Sequence, residues 1–274
     1  MIVGAGLAGC CLGWRLEKSG HSFHLIGSSA LPSAAKVAAG IIKPVTGRWM
    51  TKSWRFEDFA PEAKTFYTSI EAAFSMKIYR RLPAIRYCLN PEDAKRAKRR
   101  IRNPRYAGLL KDYQEPQDEA AVINDRFGSF GINEVAYVNL PGLLDCLRNH
   151  FKRSGNYEDA VFEHDILKKE ESAWTYRGRV FERVIFCEGS SLKDNPWFGD
   201  LPLTPAKGET LLCRSNELKL EERLYHHDKW LLPYPDGSFR IGATYDESDL
   251  SPGPTVVAKR ELSETFDKMT GGSC

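Results

Sequence analysis

The sequence predicts a mixed α/β fold, with a βαβ unit at its start interleaved with a second, sheet-rich region. Three observations carry this. GAGLAG (4–9) follows the apolar Met1-Ile2-Val3, opens the small-residue stretch LAGCCLGWRL (7–16), and precedes a second apolar run, SFHLI (22–26). Helix-like segments recur at 56–74, 91–102, 137–155 and 255–269. Between 159 and 245 come short apolar runs of strand length, with turn signals such as Pro235-Asp236-Gly237.

Residues 1–26 read as strand, turn, helix and strand, with Gly20 where a helix C-terminal glycine belongs. Residues 27–54 read as a long loop, which a compact domain keeps only for a purpose. FEDFAPEAKTFYTSIEAAF (56–74) places Phe59, Ala63, Phe66, Tyr67 and Ile70 at helical spacing. KIYRRLPAIRYCL (77–89) reads as strand and PEDAKRAKRRIR (91–102) as a basic helix. YVNLPGLLDCLRNHFKRSG (137–155) reads as a strand end, a Pro-initiated helix and a glycine stop. DAVFEHDIL, ESAWTYR, RVFERVIFC, ETLLCR, KWLLPYP and SFRIGATY read as strands, and TVVAKRELSETFDKM (255–269) as a final helix.

Bulk properties exclude several classes. The 274 residues, 42% hydrophobic and 27% charged, suit one large or two interleaved globular domains. No apolar run reaches the roughly 18–20 residues of a membrane span. The glycine turn starts at Gly4, so no leader is expected before it. A net charge of +3 does not by itself argue for nucleic acid. Seven cysteines (10, 11, 88, 146, 187, 213, 274) are scattered without C-x-x-C, against a zinc site or a disulfide framework. No metal is expected, and the setting expected is reducing and cytoplasmic.

Gly4, Gly6 and Gly9 form G-x-G-x-x-G in the context that gives the motif meaning. The first glycine allows the tight turn. The second lets a pyrophosphate approach the main chain, and the third lets helix and sheet pack closely. The helix N-terminus adds N–H donors and partial positive charge. Dinucleotide binding is the reading, with a glycine turn of packing role alone as the plainer one. An acid that would bind ribose normally ends the second strand. Here the sequence is Ile26-Gly27-Ser28-Ser29, which leaves Ser28, Ser29 or main chain for that task.

KVAAGIIKPVTGRWMTKSWR (36–55) adds consecutive small residues that would let a backbone lie against a flat ring. Together with the glycine turn it resembles the D-amino acid oxidase-like family of FAD-dependent oxidoreductases, which includes glycine and sarcosine oxidases. VNLPGLLDCLRNHFKRSG (138–155), VFEHDILKKEE (161–171), VIFCEGSSL (184–192), LPLTPAKGETLL (201–212) and SFRIGATYDE (238–247) are similar to family segments in the same order. The resemblance implies a Rossmann-like FAD-binding domain (1–75 and 139–200, with 252–274) interleaved with a smaller, mostly antiparallel-sheet substrate domain (76–138 and 201–251). It implies FAD contacts from Gly4, Ala5, Gly6, Leu7, Ala8, Gly9, Ser28, Ser29, Ala39, Gly40, Ile42, Ile166, Cys187 and Gly189. Family members continue with an R-x-x-P-like segment that clamps a substrate carboxylate and a last glycine-rich flavin contact. From its absence, and from the short first strand, a fragment or a reduced family member is expected.

The chemistry implied is oxidation of a C–N bond of a small amine or amino acid to an imine, with oxygen as a common acceptor. No catalytic dyad is visible in the sequence. Trp230 lies near a position where relatives place a substrate-facing aromatic; the plainer reading is a core or interface ring. Arg86 and Tyr87 lie on a strand resembling the substrate sheet, with a solvated arginine as the plainer reading. Lys43 follows the ring-lining segment and could place a positive charge near the flavin. His226-His227 is set aside as a metal pair, because neighbours on a strand point to opposite faces. Cys10 and Cys11 read as small core residues.

KRAKRRIRNPR (95–105) carries seven Lys or Arg in eleven residues. The family includes the oxidase half of an enzyme that modifies a tRNA wobble uridine, so RNA is one reading. The favoured reading is a solvated helix face with Ala94, Ala97 and Ile101 turned inward. Besides the amine oxidase, two alternatives stand: oxidation of an aminomethyl group on a tRNA wobble uridine, and a non-catalytic nucleotide-binding fragment.

Overall fold

The computed structural model describes residues 1–116, 122–215 and 218–271. In chain order the first elements are β1 (Ile2–Val3), α1 (Leu7–Lys18), β2 (Leu25–Ile26), α2 (Ala34–Val37), β3 (Ile41–Ile42), β4 (Val45–Thr46), β5 (Thr51–Lys52) and α3 (Phe56–Phe74). Next come β6 (Tyr79–Arg81), β7 (Ala84–Tyr87), α4 (Pro91–Ile101), β8 (Leu110–Gln114), β9 (Ser129–Ile132), β10 (Ala136–Val138) and α5 (Leu140–Arg153). Then follow β11 (Tyr157–Glu158), β12 (Lys168–Lys169), β13 (Trp174–Tyr176), β14 (Arg179–Phe181) and β15 (Ile185–Phe186). The last are β16 (Thr210–Arg214), β17 (Leu224–His226), β18 (Trp230–Pro233), β19 (Ser238–Gly242) and α6 (Val256–Thr270).

The chain forms two compact units, Met1–Ala38 with Leu140–Pro205, and Ala39–Asn139 with Ala206–Cys274. The bounds differ from those expected: 39–75 and 252–271 group with the second unit. Ile41 and Ile42 pair there with β10, Val45 and Met50 enter its core, and Leu262, Phe266 and Met269 of α6 pack on its large sheet.

The first unit holds a Rossmann-like parallel sheet in the order β11-β2-β1-β15. Its helix α1 buries Cys10 and Trp14, and α5 buries Leu143, Leu144, Leu147 and Phe151. Gly20 (φ 74°) and Gly155 (φ 73°) follow the two helices in the left-handed conformation that glycine tolerates. Cys11 is half-buried; burial pushes the Cys10 and Cys11 thiols up to about 11 and about 12, as for unreactive packing residues.

The strand expected over 159–167 does not form. The chain makes only β11 before a short 3₁₀ turn at His164–Ile166, where His164 stacks with Phe186 and pairs with Glu188 at 2.9 Å. Ile166 therefore lies on an exposed turn, not on a strand.

In the second unit a seven-stranded sheet runs β16-β19-β18-β17-β7-β9-β8, antiparallel except where β17 meets β7. The expected strand at 77–89 is two, interrupted at Pro83, which has no N–H to donate to a ladder. Alternation divides the sheet cleanly. Ala84, Leu224, Leu232, Phe130 and Ile132 join one core with Val45, Met50 and Ala97, while Tyr87, Tyr225, Leu231, Phe239 and Ile241 join another with α6.

Helix α3 spans the predicted residues and buries Ile70, but Phe59 is exposed and packs beside Trp54 at 5.4 Å. Helix α4 is capped by the Asn90 side chain, which accepts from the Asp93 N–H at 2.9 Å. Its Ala97 is fully buried with Ala94 and Ile101 packed around it, as the basic-helix spacing predicted.

Candidate functional site

In the first unit, each glycine of the turn is required for its own reason. Gly4 has φ 103°, and a Cβ there would lie 2.3 Å from the Cys187 carbonyl oxygen. A Cβ on Gly9 would lie 1.9 Å from the Gly4 oxygen, so α1 seats directly on the turn. Gly6 differs, because its added Cβ would meet only Ser33 Oγ, at 4.0 Å. It is the N-cap of α1 and makes no side-chain cap. The first-turn N–H groups of a helix have no intrahelical acceptor and carry its positive end. Gly6 thus leaves open the space that a pyrophosphate needs, above donors that suit it. Arg148, buried on α5, donates from Nε to the Ala5 carbonyl at 2.9 Å and again from Nη2, which fixes the turn from below.

The same crowding accounts for Gly27. A Cβ at this position would stand 2.4 Å from the Ala5 nitrogen, so no acid fits there. Tyr157 Oη donates to the Gly27 carbonyl at 2.7 Å. Beyond it, Ser28 Oγ accepts from the Ala30 N–H at 3.2 Å. Ser29 donates to Asp159 twice, from N to Oδ1 at 2.7 Å and from Oγ to Oδ2 at 2.5 Å. These bonds hold the Asp159 carboxyl below the usual range. Asp159 went unnoticed in the sequence because only the β2–β11 pairing brings it beside Ser29. Cys187 follows β15 with its carbonyl against Gly4, and Gly189 (φ 61°) opens an exposed 3₁₀ turn.

In the second unit the register gathers Arg86 and Trp230 and adds His226. Arg86 pairs across the sheet with Phe130 on one side and His226 on the other; His226 pairs with Trp230, and Trp230 with Gly242. Paired residues share a face, so these side chains form one row. Arg86 is 3% exposed, which corrects the solvated reading: its Nη1 donates to the Gly47 carbonyl at 2.8 Å, and Nη2 lies 3.8 Å from Asp93 Oδ1. Tyr87 is buried on the opposite face. Trp230 is half-buried, its ring over the bare Cα of Gly242, where a Cβ would come within 2.6 Å.

His226 is buried, and its Nδ1 has no hydrogen-bond partner. Burial, then the charges of Lys43 and Arg86, drives its pKa well below the ordinary value, so it is neutral. Lys43 is half-buried, and burial followed by repulsion from Arg86 pushes it down to about 8. His227 lies 6.4 Å from the Tyr87 ring, on the other side from His226. Among the described residues no three His, Cys, Asp or Glu side chains gather to hold a metal.

Elsewhere in the second unit, Lys95, Lys98, Arg99 and Arg102 line a shallow concavity on α4. Nearby, the exposed Trp49 carries the Arg48 and Arg96 guanidiniums over its ring at 4.7 and 4.6 Å.

A family model described as FAD dependent oxidoreductase (DAO) matches residues 1–270. The chain belongs to the DAO family of FAD-dependent oxidoreductases. Solved structures of similar fold include iminodiacetate oxidase from Chelativorans sp. BNC1, with TM-score 0.78 and 17% identity over 99% of this chain and 78% of that one. Glycine oxidase from Geobacillus kaustophilus has TM-score 0.77 and 16% identity over 98% and 77%. L-proline dehydrogenase from P. horikoshii has TM-score 0.75 and 12% identity over 98% and 76%. No helix among the described residues is long and apolar enough to cross a membrane.

The residues of this DAO-family chain fit FAD, its family's cofactor, where the structure tests them. The open face of Gly6, the uncapped start of α1 and the buried Arg148 beneath the turn all suit an anionic pyrophosphate.

Two predictions follow from this geometry. Gly27→Asp puts an acid where such units ordinarily carry one, yet it is expected to lose flavin absorbance on gel filtration and to lower the unfolding midpoint. Tighter flavin retention in the variant would contradict the steric account. Lys43→Met is expected to raise the unfolding midpoint at pH 7. The folded state holds the Lys43 proton less tightly than the unfolded chain, so the cost of the charge is complete below about 8 and fades toward the ordinary value of 10.5. Thermal scans across that window should show the variant's advantage shrinking; a constant advantage would contradict it.

Proposed function

We propose that the chain oxidises the C–N bond of a small amine or amino acid to an imine, which water hydrolyses, with dioxygen as the electron acceptor. The carrying observation is the row Arg86–His226–Trp230 with the Lys43 charge bearing on two of its members. Support for the substrate class comes from relatives of the same fold, which include an iminodiacetate oxidase and glycine oxidases.

In this reading the glycine turn of the first unit receives the phosphates of the cofactor. Gly4, Ala5, Gly6, Leu7, Ala8 and Gly9 receive the pyrophosphate, and Ser28 and Ser29 face the adenosine. Ile166, Cys187 and Gly189 complete that part of the cofactor site. Ala39, Gly40 and Ile42 lie along the ring. Gly40 has φ 69° and a Cβ there would stand 2.0 Å from the Val138 oxygen, so the segment lies flat against β10. FAD supplies the acceptor for a hydride equivalent, and the protein supplies orientation and electrostatics.

The substrate-side residues act through charge and exclusion. Lys43 holds its proton on Nζ below about pH 8 and presents a cation beside Arg86. Neutral His226 offers Nδ1 to a polar group. Trp230 walls the row and keeps water from it. An anionic or carboxylate-bearing amine suits this set better than a cationic one.

The basic concavity of α4, with Arg96 of the same helix over the exposed Trp49 ring, favours a second reading, an aminomethyl group on a tRNA wobble uridine. One experiment separates the two: anaerobic bleaching of the bound flavin by a panel of small amines and amino acids, set against bleaching by tRNA carrying the modified uridine. Bleaching by a small amine, with peroxide released in air, is expected. Bleaching by tRNA alone would replace the first reading with the second, and bleaching by neither would overturn both.

A further inference from the structure

The end of β2 carries no acid, and Gly27 cannot accept one. The neighbouring strand has two in the corresponding place. Tyr157 and Glu158 pair in parallel register with Leu25 and Ile26, so Asp159 leaves β11 alongside Gly27, at the carboxyl end of the sheet. Nucleotides bind at that end in open parallel sheets. Glu158 is engaged elsewhere, with His24 at 3.3 Å and Arg177 at 2.6 Å. Asp159 is exposed and turned to Ser29.

We infer that Asp159 replaces the acid missing from β2 and receives the ribose hydroxyls of the adenosine half of the cofactor, oriented by the main-chain N–H and hydroxyl of Ser29. The inference rests on the dinucleotide reading of the first unit. Each carboxylate oxygen takes one hydrogen bond from Ser29, and the Tyr157 hydroxyl also bears on the group; a carboxylate has about four lone-pair sites, so it can still accept from a ribose hydroxyl. The Ser29 bonds keep it ionised, and a charged acceptor holds a hydroxyl more strongly than a serine oxygen does. Lys36 donates from Nζ to the Ser29 carbonyl at 2.5 Å and steadies the same turn, and Lys152 bears on Asp159 by charge. The site is set before any nucleotide arrives. An alternating pattern along β2 could never reveal it, because the acid lies 130 residues from Ser29 in the chain.

The flavin-free chain is titrated calorimetrically with ADP and with 2′,3′-dideoxy-ADP, for the wild type, Asp159→Asn and Asp159→Ala. Unfolding midpoints of the unliganded proteins are measured alongside. The wild type is expected to prefer ADP by about tenfold or more. Asp159→Ala should reduce that preference to about twofold or less, with Asp159→Asn between, while dideoxy-ADP binds all three alike. A preference that survives in Asp159→Ala would overturn the assignment of Asp159 and leave the dinucleotide site standing. Equal weakening of both nucleotides with a lowered unliganded midpoint would show a structural role and overturn it too. A wild type that binds neither ADP nor FAD would overturn the dinucleotide site and this assignment with it.

Discussion

The glycine-turn end of the first unit depends on backbone meeting backbone with no side chain between. Cys187 presses on Gly4, the Gly4 carbonyl on Gly9, and Gly27 on Ala5. Parallel pairing of β1 with β2 and β15 brings these segments together. Such approaches are open only to glycine, because a Cβ at any of the three would sit within about 2.4 Å of a backbone atom. One position escapes the crowding. Gly6 is bare toward open space, which is why the same motif that packs the turn also exposes the helix start. Arg148 and Tyr157 reach in from α5 and β11 to hold the two halves of the crossing at their carbonyls.

The second unit works by parity. Its large sheet has two buried faces, so each strand sends alternate residues to different cores. Arg86 and His226 fall among apolar neighbours on one of them. A buried guanidinium and a buried imidazole are costly there unless they are held or used. Arg86 is held by the Gly47 carbonyl and by Asp93. His226 remains neutral because burial, and then the two cations near it, disfavour its charged form, and burial followed by the Arg86 charge loosens Lys43 toward neutrality. The cluster is electropositive, and Asp93 is the acid that bears on it through Arg86.

Much of this was legible in the sequence where the signal is local. The five longer helices lie close to where periodicity, Pro141, Gly20 and Gly155 put them. The glycine turn and its βα context were readable because the motif and the apolar runs beside it are local, although Gly4 meets its decisive partner, Cys187, from a distant segment. The reasons for Gly27, Arg86 and Asp159 were not readable, since each meets its decisive partner across a strand pairing or from a distant segment. Two-residue strands such as β1, β2 and β15 are too short to show alternation. β17 (Leu-Tyr-His) hides its parity, so His226 could be separated from His227 but not joined to Arg86. At 159–167 an apolar run reads as strand, yet the aromatic packing of His164 and Phe162 bends it into a turn.

The central claim is that the open face of Gly6, over the start of α1, is where the cofactor's pyrophosphate lies. A crystal structure of the flavin-loaded protein tests it most directly. Pyrophosphate density is expected within hydrogen-bond reach of the main-chain N–H groups of Leu7 and Ala8, with Gly6 beneath it. Density for FAD away from the glycine turn, or a side chain filling the space above Gly6 while flavin is bound, would contradict it.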